Sequence, residues 1–246
     1  MASKLICFVA VLCALQHVQA SAVQKRSIID DIKSEVEKVA QEAQQKAADA
    51  VSEVSSLWDQ IKSKVSEVIS SASANLNAKA QEAKDKIQEV VSAAKQIGAN
   101  IGTCVSEGLE EVNSVNSLAY EDLQTCVKSA EAPLEPLKAD IANLADQSEQ
   151  LVKDIPADLS SCKRASVLQL PEQLSCYVEV GNTYLSKGLL MVSSIAYDLS
   201  EFKTQLEEAS QKIVKCGTDE VGEALKKYKD ISESVQTCVF NGPSTE

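Results

Sequence analysis

The side chains with the widest chemistry in this sequence are its cysteines. There are eight. Cys7 and Cys13 lie in an apolar run at the N-terminus. The other six, Cys104, Cys126, Cys162, Cys176, Cys216 and Cys238, all follow residue 100. A nucleophilic cysteine or serine needs a base, and the sole histidine, His17, shares the N-terminal run with Cys7 and Cys13. Once that run is removed, Ser-His-Asp catalysis, Cys-His catalysis and histidine-containing zinc sites are all excluded. Adjacent acids such as Glu110/Glu111 and Glu207/Glu208 read as helix-surface charges, because neighbouring helical residues point about 100° apart and cannot share an acid–base site. The expectation is therefore no catalytic residues, no metal site and no cofactor. Six cysteines in an oxidising compartment instead imply three disulfides, with fifteen conceivable connectivities.

Their spacing narrows the choice. Cys104 to Cys126 and Cys216 to Cys238 are both separated by 22 residues, close to six helical turns. Each pair would then share one face of its helix about 33 Å apart, whereas bonded cysteines need Cα atoms within about 7 Å. Neither pair can close on itself if its helix is continuous. Two equally spaced helices can, however, be stapled at both ends when antiparallel. An up-down-up-down arrangement gives Cys104–Cys238, Cys126–Cys216 and a local Cys162–Cys176.

The elements that must hold these residues read as all helical. "LICFVAVLCAL", Leu5–Leu15, follows Lys4 and precedes small residues ending at Ala20. That is the pattern of a secretory signal peptide over 1–20, and the run is too short to span a bilayer. Residues 21–27 read as a short flexible segment with a candidate processing site at Lys25-Arg26. From Val23 to Ile97 there is no glycine and no proline, and Ala, Glu, Lys, Gln and Ser dominate, a helix-forming composition. Gly98 and Gly102 suggest a boundary near residue 100, and "SSASANLN" around Ser70–Asn77 is the weakest place within the segment, where a bend is expected. Beyond Cys104 four helical stretches follow. One ends at Pro156, and the last is divided from a long one near Gly217, with Gly181 and Gly188 as blemishes. The expected architecture is a long amphipathic helix or helix pair over 28–103, then a disulfide-stapled antiparallel helical bundle over 104–240, then a tail over 241–246.

Residues 32–97 also repeat every eleven residues. Six units begin at Ile32, Ala43, Val54, Val65, Leu76 and Ile87. Their fifth positions are Val36, Ala47, Trp58, Ile69, Ala80 and Val91; their eighth are Val39, Ala50, Ile61, Ala72, Ala83 and Ala94. Eleven residues make three turns at about 3.67 per turn, so the stripe stays nearly straight along a helix on the order of 100 Å if unbroken. A stable coil would concentrate large aliphatics at its seam, whereas here many positions are alanine. Long amphipathic helices that are only weakly apolar as a whole suit lipid surfaces, and tryptophan favours interfaces. The same stripe could equally pack on its own protein. The repeat resembles the arrays of exchangeable apolipoproteins, synucleins and lipid-droplet coat proteins. The residues expected to meet lipid are Ile32, Val36, Val39, Val54, Trp58, Ile61, Val65, Ile69, Leu76, Ile87 and Val91. If they do, Trp58 fluorescence shifts blue and helicity rises when lipid is added.

Charge limits the partners. Residues 27–103 carry 12 acids and 9 bases, and residues 104–246 carry 24 acids and 12 bases. An acidic half beside a nearly balanced one excludes nucleic acid and disfavours anionic membranes, leaving neutral or zwitterionic lipid surfaces. The six cysteines, "LMVSSIAYDLSEF" and the closing "YKDISESVQTCV" resemble the TsetseEP domain of secreted insect proteins, a domain of unknown function. The resemblance covers the C-terminal half and implies secretion and a helical disulfide fold. The glutamate–proline repeats of that family are absent; only Glu135-Pro136 occurs. The functional expectation is a secreted lipid-binding or carrier protein of insect haemolymph or gut fluid. The alternative is a secreted structural or defence-related protein that binds a protein partner through its acidic bundle.

Overall fold

A computed structural model describes residues 22–98, 101–163 and 170–241. The expected signal peptide (1–20) and all of the expected tail beyond Asn241 lie outside these residues. The described part is all helical: α1 (Ala22–Gln96), α2 (Cys104–Glu131), α3 (Leu134–Ser161) and α4 (Leu170–Asn241).

α1 is one uninterrupted helix because nothing in its sequence breaks it. It begins at Ala22, so residues 22–27 are its first turns rather than a flexible segment. It also continues through Ser70–Asn77, the weakest stretch of the segment, as unbroken α-helix. Weak local propensity there is offset by burial of Ala72 and Leu76, since tertiary packing of an amphipathic face outweighs propensity. α1 stops where the chain turns left-handed at Gly98, with φ +70°. The Gly98 amide donates to the Lys95 carbonyl at 3.3 Å, a glycine stop at a helix C-terminus. Gly102, with φ +49°, makes a second left-handed step before α2.

Two expected breaks do not occur. Pro156 lies inside α3: it removes one N–H, but Ile155 and Leu159 are buried on either side of it and hold the helix on course. Gly217 lies inside α4, so the two C-terminal helices are one. A Cβ at Gly217 would stand 2.7 Å from Val68 Cγ1. The glycine is therefore there to admit α1, and a single missing side chain does not end a long helix. Pro133 does mark a true break, between α2 and α3, while Pro136 falls in the first turn of α3, where no intrahelical donor is lost.

The chain forms two compact units, Met1–Val51 with Asp140–Tyr197, and Ser52–Ala139 with Asp198–Glu246. Both therefore draw on the repeat segment and on the six-cysteine segment, which differs from a division near residue 103. In the first unit, Ile29, Ile32, Val36, Val39 and Ala40 of α1 form one core with Leu151, Ile155 and Leu159 of α3 and Tyr177, Tyr184 and Leu185 of α4. In the second, Leu76, Ala80, Ala83, Ile87 and Ala94 of α1 form a core with Val112, Val115 and Ala119 of α2 and Tyr228, Ile231, Val235 and Val239 of α4. Within each unit α1 and α4 run parallel: Gly181 faces Ile32 and Gly188 faces Val39 in the first, and Lys203 pairs with Glu53 while Gly217 faces Val68 in the second.

Candidate functional site

The candidate site is the inner face of α1. Every position of the eleven-residue stripe is buried except Val65 and Ile69, which are half-buried. Of the residues expected to meet lipid, Ile32, Val36, Val39, Val54, Trp58, Ile61, Leu76, Ile87 and Val91 all face inward. The repeat is thus the packing period of α1. An eleven-residue period drifts by only about 20° per unit on a straight helix, so the seam of α1 stays on nearly one face within each unit.

Two kinds of small residue make that seam close. The first is the alanine run Ala43, Ala47 and Ala50, at most 1 % exposed. The second is a set of helical glycines that the sequence pattern presents only as blemishes. A Cβ at Gly181 would lie 2.7 Å from Ile32 Cγ2, and one at Gly188 would lie 2.6 Å from Val39 Cγ1. In the second unit Gly108 of α2 likewise leaves room for Val235 of α4. Each glycine receives a β-branched side chain from the facing helix. The signal was present: Gly181 and Gly188 are seven residues apart in a helical pattern, hence on one face, where missing side chains mean a close neighbour rather than weak helix.

Trp58 is 6 % exposed. Lys138 Nζ lies 4.7 Å from its ring centroid and Lys62 Nζ 5.7 Å, so two cations cover the indole by cation–π contact. An indole already out of water, on a helix already formed, has little blue shift or helicity left to gain. The expected fluorescence and helicity changes are therefore poor readouts for lipid, because the closed protein already has both end states.

Several polar groups at the seam satisfy one another, while Ser73 Oγ on α1 is buried without a hydrogen-bond partner among the described residues. In the first unit Tyr184 donates its hydroxyl to Asp158 Oδ2 at 2.5 Å. Burial, and then this hydrogen bond, push its phenol well above the usual range. In the second unit Tyr228 donates to Asn116 Oδ1 at 3.2 Å, and Asn116 Nδ2 donates to Asn77 Oδ1 at 3.0 Å. That relay joins α4, α2 and α1 at one level, and its buried member, Tyr228, would lose its partner if α4 slipped against α2.

The three disulfides are Cys104–Cys238, Cys126–Cys216 and Cys162–Cys176, with Cα separations of 6.0, 5.8 and 5.5 Å. This is the pairing expected for antiparallel helices: α2 runs antiparallel to α4 and is stapled to it at both ends, although α4 is one long helix rather than two members of an up-down-up-down four. Their chemistry places the chain in an oxidising compartment. They link α2 and α3 to α4; none reaches α1, which contains no cysteine. The longest helix among the described residues is thus held without a covalent link, by packing and a few polar contacts.

Among the described residues no group of three or more His, Cys, Asp or Glu side chains could hold a metal ion, and no helix is long and apolar enough to cross a membrane. A shallow open groove lined by Asp85, Gln88, Glu89, Ser92, Ala93 and Gln96 belongs to the outer face of α1 alone, with no converging groups from a second element.

A family model described as a protein of unknown function, DUF725, matches residues 100–219. A solved structure described as a computationally designed three helix bundle is similar to this chain, with 16 % identity, 88 % of this chain and 98 % of that one covered, and a TM-score of 0.35.

Proposed function

We propose that this protein is a secreted lipid-binding helical protein, a carrier rather than an enzyme, that holds its apolar stripe inward and turns it onto neutral lipid when a surface is offered. The setting proposed is an insect extracellular fluid, haemolymph or gut, following the resemblance of the six-cysteine segment. The observation that carries the reading is the asymmetry of restraint. α2, α3 and α4 are covalently tied, while α1, with its continuous apolar stripe, is not, and it ends at two left-handed glycines that serve as the hinge.

The energetics suit exchange. Burying Val, Leu or Ile contributes about 1.5–3 kcal/mol each, and a methyl group about 0.8. Leaving α1 in water would therefore be prohibitive. Moving it from protein to lipid keeps the same surface out of water, so the large terms largely cancel and small differences decide. Alanine at so many seam positions lowers what the protein side offers.

The test uses the full oxidised protein with phosphatidylcholine vesicles whose acyl chains carry bromine. Bromine quenches indole only in contact, so wild-type Trp58 should be quenched. A lock, Val39→Cys with Gly188→Cys, joins α1 to α4 where the two helices touch, and its disulfide-closed form should lose the quenching while the single variant Val39→Cys, with the native disulfides intact, keeps it. Equal quenching in the locked form, or none in the wild type, would sink the proposal.

A further inference from the structure

We infer that the closed protein first touches lipid through a second, permanently exposed surface: the outward side of α4 around Leu189, Leu190 and Tyr197. The occupant is a neutral, zwitterionic phospholipid surface. This inference rests on the lipid-binding reading above and adds a site to it.

Leu190 and Tyr197 are 68 % and 69 % exposed, and Leu189 is 40 % exposed. On a helix Leu190, Ser194 and Tyr197 stack in one row, and Leu189, Ser193 and Ala196 in the next. All six are exposed and uncharged. The inward residues of the same turns, Leu185, Gly188 and Ile195, are buried in the first unit, so the packing holds the outward side open. A lone exposed leucine is ordinary. Two leucines and a tyrosine on neighbouring rows, with only small uncharged residues between them, form a patch.

Charge identifies the occupant. The chain carries a formal net charge of −12, yet no aspartate or glutamate occurs from Val180 to Tyr197, and the only ionised side chain there is Lys187. By contrast, exposed Leu118 has Glu121 and Asp122 on the next turn of its helix; at the patch itself Asp198 and Glu201 flank Tyr197 at one edge and leave Leu189 and Leu190 clear of acids on both adjacent turns. A carboxylate pressed against a headgroup layer must be desolvated and meets the lipid phosphates. The leucine end of the patch escapes both costs. Lys187 lies one turn before Leu190, where an ammonium can reach a phosphate while its stem stays on apolar surface. Tyrosine and leucine together suit the boundary, with the phenol at headgroup depth and the aliphatic chain below it. A second copy of this chain would bring a second acidic surface with it, which a zwitterionic surface does not.

Flotation of the full-length oxidised protein with phosphatidylcholine vesicles tests this, using wild type, Leu190→Glu, Leu190→Ser with Tyr197→Ser, and the same changes in the oxidised Val39–Gly188 lock. Both positions are exposed, so thermal melts should match the parent. Wild type and lock should both float. Leu190→Glu and the double serine variant should each lower partitioning about tenfold or more in both backgrounds, an effect of roughly 1.4 kcal/mol or above. If the locked protein floats through this patch but wild-type Trp58 is not quenched by brominated lipid, the patch stands and the opening of α1 fails. If the variants float like their parents, the patch is wrong, whatever Trp58 reports. If nothing floats, patch and lipid reading fall together. A wild type that sediments as a dimer, becomes monomeric with Leu190→Glu and never floats would assign the patch to self-association and overturn the inference.

Discussion

Gly188→Ala puts the seam between α1 and α4 to a quantitative test, with Gly222→Ala as its control. Both glycines lie inside α4. In a helix interior alanine is favoured over glycine by about 1 kcal/mol. At Gly222 a new Cβ meets nothing within 4 Å, so that gain should appear whole. At Gly188 the new Cβ would lie 2.6 Å from Val39 Cγ1 and 3.6 Å from the Val39 carbonyl oxygen. Carbon atoms prefer about 3.5–4.0 Å, so one helix must retreat by roughly 1 Å. Val39 cannot turn aside, because a β-branched side chain in a helix has one strongly preferred rotamer. Overpacking of this kind costs about 1–3 kcal/mol. Gly188→Ala should therefore fall about 1–3 kcal/mol below Gly222→Ala. For a chain of this size that separates the two thermal midpoints by roughly 2–12 °C. Circular dichroism melts of the oxidised proteins would measure it, and amide exchange in α1 should accelerate in the Gly188 variant alone. Adding Val39→Ala should return part of the loss, a coupling of about 0.5–3 kcal/mol. If Gly188→Ala raises the midpoint as Gly222→Ala does, α1 does not seat on α4 here, and the account of the stripe fails with it.

Other predictions follow from the same contacts. Burial raises the Glu131 carboxyl, with Lys62 opposing and Glu135 adding to it; burial, then Asp122 and Glu223, raise Glu220. A folded value above the unfolded one gives stability that is complete below about pH 4.3 and is lost as pH rises through the shifted values. Melting temperature should rise from pH 7 toward pH 5, and Glu131→Gln with Glu220→Gln should flatten that slope. Replacing Cys126 and Cys216 by serine, a separation of 90 residues, should cost about 4–5 kcal/mol in denaturant titrations, against about 3 for Cys162 and Cys176, separated by 14, from loop entropy. Asn116→Ala strands the Tyr228 hydroxyl, while exposed Asn77 turns to water, and should cost about 1 kcal/mol in the same titrations. Lys138→Ala removes the nearer cation from the Trp58 ring, and acrylamide quenching of Trp58 should increase.

The sequence determined what depends on spacing along one helix. The absence of glycine and proline from Val23 to Ile97 made α1, and the eleven-residue period marked which of its residues share a face. The two 22-residue cysteine separations forbade closure within a helix, and the antiparallel course of α2 and α4 then decided the pairing. Positive φ at Gly98 and Gly102 falls where glycines interrupted the pattern. Tertiary structure decided what depends on a second helix. Amphipathicity says that a face will leave water but not what it will leave water for; α4, running parallel to α1 within each unit, answers that for the closed protein. Gly181, Gly188 and Gly217 looked like defects because the side chains that fill their space, Ile32, Val39 and Val68, lie some 150 residues away in the chain. Pro156 looked like an end because local rules count its missing donor and not the burial of Ile155 and Leu159. The same limit applies to Leu190 and Tyr197. They read as members of one apolar helix until packing buried Leu185 and Ile195 and left them outside, because a helix wound through a core has an outward side that only its neighbours define.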